Sequence, residues 1–242
     1  GKKNREWKNM TLDRRLLAAA KLVRAGSPTV DIGTDHGYLP VYLVEKGIVS
    51  RCVACDIHTA PLESARRTIA EHGLEEQIRT LLSDGLKEVA PADGMDILIC
   101  GMGGELITQI LQACSWVRDP ARRLILQPMT QAPYLREWLA VNGFEILSET
   151  PVLDRNHRYT VIHAEFRGPA VFQDELALLL GRIPEYSSPE ALAYVEGEWE
   201  RLRKIADGQS QSEDCMQEAE VYRSLSERVG QVWKEMKARC QP

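Results

Sequence analysis

The sequence predicts an α/β fold, in which a mixed seven-stranded sheet is followed by a pair of long helices. Short apolar runs, typical of buried parallel strands, alternate with segments whose apolar residues recur at helical spacing. Two further strand-like runs follow each other without a helix, which predicts an antiparallel hairpin at the end of the sheet. We therefore expect a Rossmann-like domain over residues 1–168 and a C-terminal α-helical coiled-coil domain over residues 169–242.

The elements of the first domain are predicted one by one from these local patterns. The expected strands cover residues 29–33, 52–57, 78–82, 96–100, 123–128, 144–153 and 158–166. The expected helices begin with one that runs from Leu12 to Gly26 and continue over residues 38–46, 60–72, 105–113 and 132–142.

The second domain is predicted from two apolar seams with alternating spacings of three and four residues. The seams consist of Leu192, Val195, Trp199, Leu202, Ala206, and then Tyr222, Leu225, Val229, Val232, Met236. A polar loop over 207–212 separates them, so we expect an antiparallel hairpin of helices. Glu218 occupies a seam position and is a polar exception there.

Composition limits the class of protein. Of the 242 residues 44% are hydrophobic, as in an ordinary globular protein, and no apolar run is long enough to span a bilayer. We expect a cytoplasmic protein that contacts no membrane. The net charge is −5, yet residues 1–30 carry eight basic and two acidic side chains. That basic end is suited to a phosphate contact, and a solvated basic helix explains it equally well.

The six cysteines show no pattern of metal ligands. Cys52 and Cys55 are three residues apart on a predicted strand, so their thiols point to opposite faces and share neither a metal nor a disulfide. Cys100 lies inside an apolar strand, and we expect no nucleophilic role for it. No metal site is expected.

The segment from Asp31 to Gly37 is the main candidate for a ligand site. It reads as a strand end, a loop with glycines at 33 and 37, and a helix start, which is the usual nucleotide site of an open α/β sheet. The dinucleotide fingerprint fails, since Asp35 stands where its second glycine should be. A carboxylate there disfavours a pyrophosphate and favours a cationic or hydroxylated ligand. S-adenosyl-L-methionine (SAM) meets both conditions, and a plain strand-to-helix turn is the alternative.

Two more strand ends carry acids that suit the same cofactor. Asp56 ends the second strand, followed by Ile57, and is placed to bind both ribose hydroxyls unless it is simply a solvated strand-end acid. Asp84 follows the third strand and can accept a hydrogen bond from an adenine amino group, with Gly85 leaving room for the ring.

The fourth strand ends in a loop that has almost no side-chain wall, Gly101-Met102-Gly103-Gly104. Such a loop lets a flat base approach a methyl donor. Gln127 and Pro128, at the end of the fifth strand, are expected beside it at the mouth of the same crevice.

These motifs resemble those of the TrmK family, bacterial tRNA (adenine-22-N1)-methyltransferases that join a class I SAM-dependent Rossmann-like domain to a C-terminal coiled coil. The similarity spans most of the chain and is specific in D-I-G-T-D-H-G-Y-L-P, G-M-G-G and L-Q-P. The resemblance implies SAM as cofactor and tRNA as partner. The cofactor-binding residues then expected are Asp31, Gly33, Thr34, Asp35, His36, Gly37, Asp56, Ile57, Asp84, Gly85, Gly101, Met102 and Gly103.

For methyl transfer to adenine N1, Asp35 is the catalytic candidate, as a stabiliser of the cationic product or a weak base. Gripping the SAM ammonium is an equally good role for it. His36 can contact the base or a phosphate, or cap the loop. The substrate-binding residues expected are Arg14, Arg15, His36, Gly104, Gln127 and Pro128.

Two alternatives remain at the level of sequence. One is a SAM-dependent methyltransferase for a small molecule or another RNA, which would share the sheet. The other is a non-catalytic RNA-binding protein, which would have no reason to combine Asp56, Asp84 and the glycine loops. No obligatory protein partner is expected.

Overall fold

The computed structural model describes residues 12–240, which form one seven-stranded sheet flanked by helices. The strands are β1 (Thr29–Ile32), β2 (Cys52–Asp56), β3 (Ile78–Leu82), β4 (Asp96–Met102), β5 (Arg123–Pro128), β6 (Phe144–Asp154) and β7 (His157–Phe166). Their order is β3-β2-β1-β4-β5-β7-β6. The first five are parallel, and β7 runs antiparallel to both β5 and β6. The mixed seven-stranded Rossmann-like sheet predicted from the sequence is confirmed.

Helices cover both faces of this sheet. They are α1 (Arg14–Ala20), α2 (Tyr38–Glu45), α3 (Thr59–Glu71), α4 (Gly104–Gln112), α5 (Ala132–Val141), α6 (Glu175–Leu180), α7 (Pro189–Gln209) and α8 (Met216–Arg239). One apolar core lies under α4 and α5, and a second lies under α1 and α2. Cys55 belongs to the first core and Cys52 to the second, so the two thiols do point to opposite faces. No helix in the described range is long and apolar enough to cross a membrane.

The first helix is shorter than the sequence predicts. It begins after Asp13, whose carboxylate accepts a hydrogen bond from Leu16 N at 2.9 Å, and it ends at Ala20 instead of continuing to Gly26. The reason is Asp96, a fully buried acid at the start of β4. Its carboxylate accepts hydrogen bonds from the Arg24 backbone N and the Arg24 Nε, each at 2.8 Å. In an α-helix the Arg24 N–H would donate to the carbonyl oxygen four residues earlier. Because it donates to Asp96 instead, the helix ends before Arg24.

The two C-terminal helices pack side by side in opposite directions. The end of α8 returns to the start of α7, since the Cys240 thiol contacts the Ser187 carbonyl oxygen. Their shared core includes the predicted seam residues Val195, Leu202, Leu225, Val229 and Met236. The assignment of residues 169–242 as a separate coiled-coil domain stays a prediction.

The seam shifts by one residue at the start of α8. Ala219 is buried there, whereas Glu218 is exposed and accepts a hydrogen bond from Gln209. Glu218, which the sequence places in the apolar seam, therefore lies outside the seam in the structure.

A buried ion pair joins the C-terminal helices to the sheet. The Arg136 side chain on α5 and the Glu149 side chain on β6 are both fully buried, with Nη2 and Oε1 2.8 Å apart. Arg136 also donates to the carbonyl oxygens of Leu178 and Leu179, each at 2.9 Å, and to the Tyr194 hydroxyl on α7. Each nitrogen of the buried Arg136 guanidinium thus has a hydrogen-bond partner inside the protein.

The other half of this network belongs to the glutamate. Glu149 accepts hydrogen bonds from the Thr160 hydroxyl on β7 and from the Arg182 backbone N, both at 2.9 Å. Gly181 leaves the space that these groups need, since a Cβ there would lie 1.8 Å from a Glu149 carboxylate oxygen. Neither charged residue was singled out from the sequence.

We expect Glu149→Gln to lower the free energy of unfolding by about 3–5 kcal/mol, because it leaves the Arg136 guanidinium buried without a counter-charge. Urea unfolding at neutral pH measures the change. Glu220→Gln is the matched control, because Glu220 pairs with Arg223 at 3.0 Å on the exposed face of α8 and such pairs contribute little. Equal losses in the two variants would contradict this role of the buried pair.

Candidate active site

The candidate site lies at the carboxyl edge of the parallel strands. β1 pairs with β2 on one side and with β4 on the other. The strand order therefore runs outward from β1 to β3 in one direction and from β4 to β5 in the other. In open α/β sheets this reversal of direction leaves a crevice beyond the strand ends. The loops that follow β1, β2, β3 and β4 therefore meet around one depression.

The loop after β1 is held to β2 by its backbone. Gly33 N and Thr34 N both donate hydrogen bonds to the Cys55 carbonyl oxygen, at 2.9 and 2.8 Å. Gly37 has a φ of 74°, a left-handed conformation that glycine adopts at little cost, and it starts α2. A Cβ on Gly37 would lie 3.2 Å from the Ala65 Cα on α3, so the missing side chain also allows the two helices to approach.

Asp56 lies at the end of β2 with its carboxylate facing this loop. The residue is buried, and Oδ1 accepts a hydrogen bond from His58 N at 3.1 Å. Oδ2 accepts a longer bond from Asp35 N at 3.4 Å. A buried carboxylate that receives only backbone donors keeps acceptor capacity for the hydroxyls of a ligand.

The loop after β3 places the second acid beside an apolar surface. Asp84 is exposed and pairs with Lys87 at 2.7 Å, while Gly85 has a φ of 58° and packs against Ile110. Ile57 and Leu82 flank the two acids and are half exposed, at 52% and 50%. Apolar side chains in this position suit the faces of a planar ring. Leu82 was not predicted, although an apolar residue directly before Ser83 and Asp84 is a usable signal.

Asp31, near the end of β1, is a buried carboxyl with an unusual acidity. Burial raises its pKa from 3.8 to about 7. A contact with the Thr34 hydroxyl and the positive charge of Arg15 act against this rise, and the Asp56 carboxylate adds to it. Perturbed pKa values are frequent among residues of functional sites. A cation bound nearby would lower the pKa of this carboxyl again.

Behind the loop after β4 lies Gln127, which the sequence predicts as a substrate contact. Its side chain is instead fully buried. Its Oε1 accepts hydrogen bonds from Gly101 N and from Arg15 Nη1, each at 2.9 Å, and Nε2 donates to the Pro128 carbonyl oxygen. The structure therefore gives Gln127 the task of holding the glycine loop, and its direct contact with a substrate stays a prediction. Pro128 is also buried.

The loops after β4 and β5 are in direct contact. Gly104 N donates to the Thr130 carbonyl oxygen at 2.8 Å, and Met129 N donates to the Met102 carbonyl oxygen at 2.8 Å. A Cβ on Gly104 would lie only 2.3 Å from the Gln131 carbonyl oxygen, and a Cβ on Gly103 would lie 3.0 Å from the Thr130 hydroxyl. Glycine is thus required at Gly104 for packing of the backbone.

Met102 connects this pair of loops to the first one. Its methyl group occupies the place where a side chain at Gly33 would be, 2.5 Å from a Cβ built there. The loops after β1 and β4 are therefore in contact at Gly33 and Met102.

Asp35 and His36 form the rim of the crevice. Asp35 has a φ of 54°, uncommon for a residue with a side chain, and such strain is frequent at functional sites. Its carboxylate is 69% exposed and lies 3.6 Å from His36 Nε2. His36 Nδ1 lies 2.7 Å from the Ser64 hydroxyl on α3. Both side chains are accessible to a ligand in the crevice.

The two arginines predicted to bind substrate are separated by the fold. Arg15 reaches the glycine loop, where its Nη1 would lie 3.3 Å from a Cβ on Gly101. Arg14 turns the other way and donates to the Leu153 carbonyl oxygen on β6. Arg15 thus belongs to the crevice, and Arg14 lies outside it. Lys2, Lys3, Arg5 and Lys8, the other basic residues near the chain start, lie outside the described residues.

Exposed apolar side chains surround the same edge. Six of the exposed large apolar side chains lie at the carboxyl ends of the five parallel strands or in the segments that follow: Tyr38, Ile57, Leu82, Leu106, Met129 and Tyr134. Apolar surface kept in contact with water at one edge indicates a place for a ligand. Most of these residues were not predicted, because a lone apolar residue at the start of a helix reads equally well as core.

The cysteines and possible metal ligands offer no other chemistry here. Burial raises the pKa of the Cys100 thiol well above its ordinary value, so it is not a nucleophile at neutral pH. Within residues 12–240, no group of three or more His, Cys, Asp or Glu side chains is arranged to hold a metal ion.

Comparison with known proteins identifies relatives of this chain. Residues 12–162 match the methyltransferase domain family. The chain is 30% identical over 225 residues to the tRNA (adenine(22)-N(1))-methyltransferase of Bacillus subtilis (strain 168), which covers 91% of this chain and 94% of that protein.

Two solved structures extend the similarity to the C-terminal helices. The B. subtilis tRNA methyltransferase TrmK is 29% identical, with a TM-score of 0.80, and the match covers 94% of this chain and 99% of that one. M. capricolum TrmK in complex with S-adenosyl-homocysteine is 28% identical, with a TM-score of 0.73, and the match covers 94% and 98%. The sheet, the crevice at its carboxyl edge and this agreement over nearly the whole length together mean that the chain belongs to the TrmK family of tRNA (adenine(22)-N(1))-methyltransferases.

Proposed function

We propose that this chain transfers the methyl group of S-adenosyl-L-methionine to N1 of adenine 22 in tRNA. The observation that supports this most directly is the similarity to the B. subtilis enzyme over 91% of the chain, which includes the C-terminal helices as well as the sheet. The proposed substrate places the reaction in the cytoplasm. An obligatory protein partner is not part of the proposal.

The residues of the crevice fit this cofactor. When bound, SAM supplies an electrophilic methyl group. The Asp56 carboxylate is placed to accept hydrogen bonds from the ribose hydroxyls, and Ile57 and Leu82 offer apolar surfaces to the adenine ring. Asp84 can accept a hydrogen bond from the adenine amino group. Asp31 and the loop from Gly33 to Gly37 then face the methionine end, where a carboxylate favours a cationic ligand.

Adenine N1 needs little chemical help from the protein. It carries a free lone pair at neutral pH, so most of the rate comes from holding it in line with the methyl group. N1 lies on the Watson–Crick edge, and a paired or stacked adenine must therefore be turned out of the RNA. The loop from Gly101 to Gly104 leaves space for that base, and the half-exposed Met129 borders the same space.

Asp35 can act in two ways at this point. Methylation makes the adenine ring cationic, and a carboxylate near the ring would stabilise that charge or accept a proton from the exocyclic amine. The same carboxylate can bind the SAM ammonium. The Asp35 side chain is 69% exposed at the rim of the crevice, and its backbone is left-handed. Both observations are compatible with either role.

The proposal is tested by transfer of labelled methyl groups from SAM to unmodified tRNA transcripts, with the product nucleoside identified after digestion. We expect 1-methyladenosine, and we expect it to disappear when adenine 22 is replaced by guanine. A chain that binds SAM but modifies no tRNA would instead favour a small-molecule methyltransferase. Binding of tRNA without binding of SAM would favour a non-catalytic RNA-binding protein.

The kcat of methyl transfer and the Kd for SAM, measured together, separate the two roles of Asp35. Asp35→Asn keeps the shape and removes the charge. If Asp35 stabilises the product, kcat falls at saturating SAM while the Kd for SAM is unchanged. If Asp35 binds the ammonium, the Kd for SAM rises and kcat recovers at high SAM concentration.

The role of Gly37 is tested by Gly37→Ala, with Gly47→Ala as control. Both glycines have left-handed φ angles, 74° and 68°, so both substitutions carry a similar backbone strain of about 1 kcal/mol. Only a Cβ on Gly37 meets the backbone of α3, while a Cβ on Gly47 has nothing within 4 Å. We expect Gly37→Ala to weaken SAM binding, measured by calorimetry, and Gly47→Ala to leave it unchanged. Equal affinities would mean that the loop tolerates the displacement.

The raised pKa of Asp31 makes stability depend on pH. The folded protein holds this proton up to about pH 7, whereas the unfolded chain releases it near 3.8, so the group lowers stability progressively as pH rises between these values. We expect Asp31→Asn to stabilise the ligand-free protein above pH 7 by roughly 1.4 kcal/mol for each unit of the shift, and to have no such effect below 3.8.

Urea unfolding of the wild type and of Asp31→Asn across this pH range measures that difference. The exposed acid of α7, Asp207, provides the control variant Asp207→Asn, which should follow the wild-type profile. A constant difference between Asp31→Asn and the wild type at every pH would contradict the assignment. The stabilised variant is also expected to bind SAM more weakly near neutral pH, since it lacks the charge that faces the cation.

A further inference from the structure

A second concavity opens beside the crevice, on the far side of β4 from the proposed cofactor residues. It has a volume of about 510 Å³ and lies between the loop after β5, the tip of the β6–β7 hairpin and α7. We refer to it as the hairpin cleft. A volume of this size is within the usual range for small-molecule sites and can hold a nucleotide.

The hairpin cleft continues from the reaction site. Its wall begins with Pro128, Met129 and Thr130, and Met129 and Thr130 are the residues that bond to the loop after β4. The opposite wall projects past the edge of the sheet. Because Leu126 pairs with Ile162, His157 at the start of β7 lies three residues beyond the level of Pro128. An RNA strand that extends from the glycine loop toward the β6–β7 hairpin would therefore enter this cleft.

The floor of the hairpin cleft is attached to the buried ion pair by hydrogen bonds. It includes Tyr194 and Thr160, whose hydroxyls are bonded to Arg136 and Glu149 in the buried ion pair. The distance between the hairpin and α7 is thereby fixed by the same network that attaches the C-terminal helices.

The charge of the hairpin cleft is positive. Arg158 on β7 is exposed and forms no ion pair with another described residue. The guanidinium lies along α7, because a Cβ on Gly197 would be 3.0 Å from its Nε and 2.8 Å from its Cδ. The carboxylate that lines the cleft, Glu198, is bound by Arg201 at 2.9 Å. Arg158 is thus held against α7 by packing, and among residues 12–240 it has no counter-ion.

An arginine fixed in this way suits a phosphate, to which its planar fork of donors is complementary. A target adenine turned out of the RNA needs its neighbouring backbone to be held.

We infer that the hairpin cleft binds the RNA backbone next to the target adenine, with Arg158 as the ligand of a phosphate. This inference depends on the proposed function, and it adds a substrate-binding site that spans the sheet and the C-terminal helices.

The test compares Arg158→Ala with Arg67→Ala, which removes the same charge from α3 beside β2 and β3, at the other end of the sheet. Arg67 is also exposed and unpaired among the described residues. For Arg158→Ala we expect the Kd for a tRNA transcript to rise roughly tenfold and the slope of log Kd against log salt to fall by about one, as for loss of one phosphate contact. The KM for tRNA should rise while kcat and the Kd for SAM stay near wild type. Arg67→Ala should match the wild type.

A second pair of variants keeps the charge. Gly197→Ala displaces the Arg158 side chain, and Gly208→Ala makes the same change on α7 where a Cβ has nothing within 4 Å. We expect weaker tRNA binding in Gly197→Ala alone. If all four variants bind and methylate tRNA like the wild type, this inference is overturned and the proposed function stands. A wild-type chain that methylates no tRNA overturns the proposed function, and this inference with it.

Discussion

A fully buried arginine–glutamate pair fixes how the C-terminal helices sit on the sheet, and the shape of the site depends on it. Burying two charges is costly, and here the cost is offset because Arg136 and Glu149 bond to each other and to groups from β7, α6 and α7. The pair brings α7 beside the carboxyl edge, where it forms one wall of the hairpin cleft. Without that attachment the proposed RNA contact would be split between two parts of the chain.

Close contact of backbones is the second constraint. Gly33 makes room for Met102, Gly37 for α3, and Gly104 for the loop after β5, so three loops meet with few side chains between them. Buried Gln127 holds this assembly from behind by accepting bonds from Gly101 N and Arg15. The polar groups left at the surface are mostly carboxylates. An edge with this character favours a cationic, hydroxylated ligand over a phosphate, whereas the hairpin cleft has the opposite preference.

The sequence predicts the sheet well, because buried strands and amphipathic helices leave periodic patterns that local context does not change. The glycine loops and Asp56 were also predictable, since strand ends in a parallel sheet converge. Other features depend on partners distant in the chain. Asp96 ends α1 early, adjacent arginines 14 and 15 separate, and Gln127 turns inward to bond Gly101. The hairpin cleft combines residues 128–133, 156–160 and 194–201, and no local pattern signals that combination.

The hairpin of β6 and β7 has a consequence for how such a protein can diversify. It joins two strands that are neighbours in the chain, and β7 pairs with the parallel sheet along Leu124–Leu126 of β5. Its tip can therefore gain, lose or exchange residues without changing the register of β1 to β5. On the proposal made for Arg158, substitutions at residues 154–158 would change RNA binding while the edge that binds the cofactor keeps its shape.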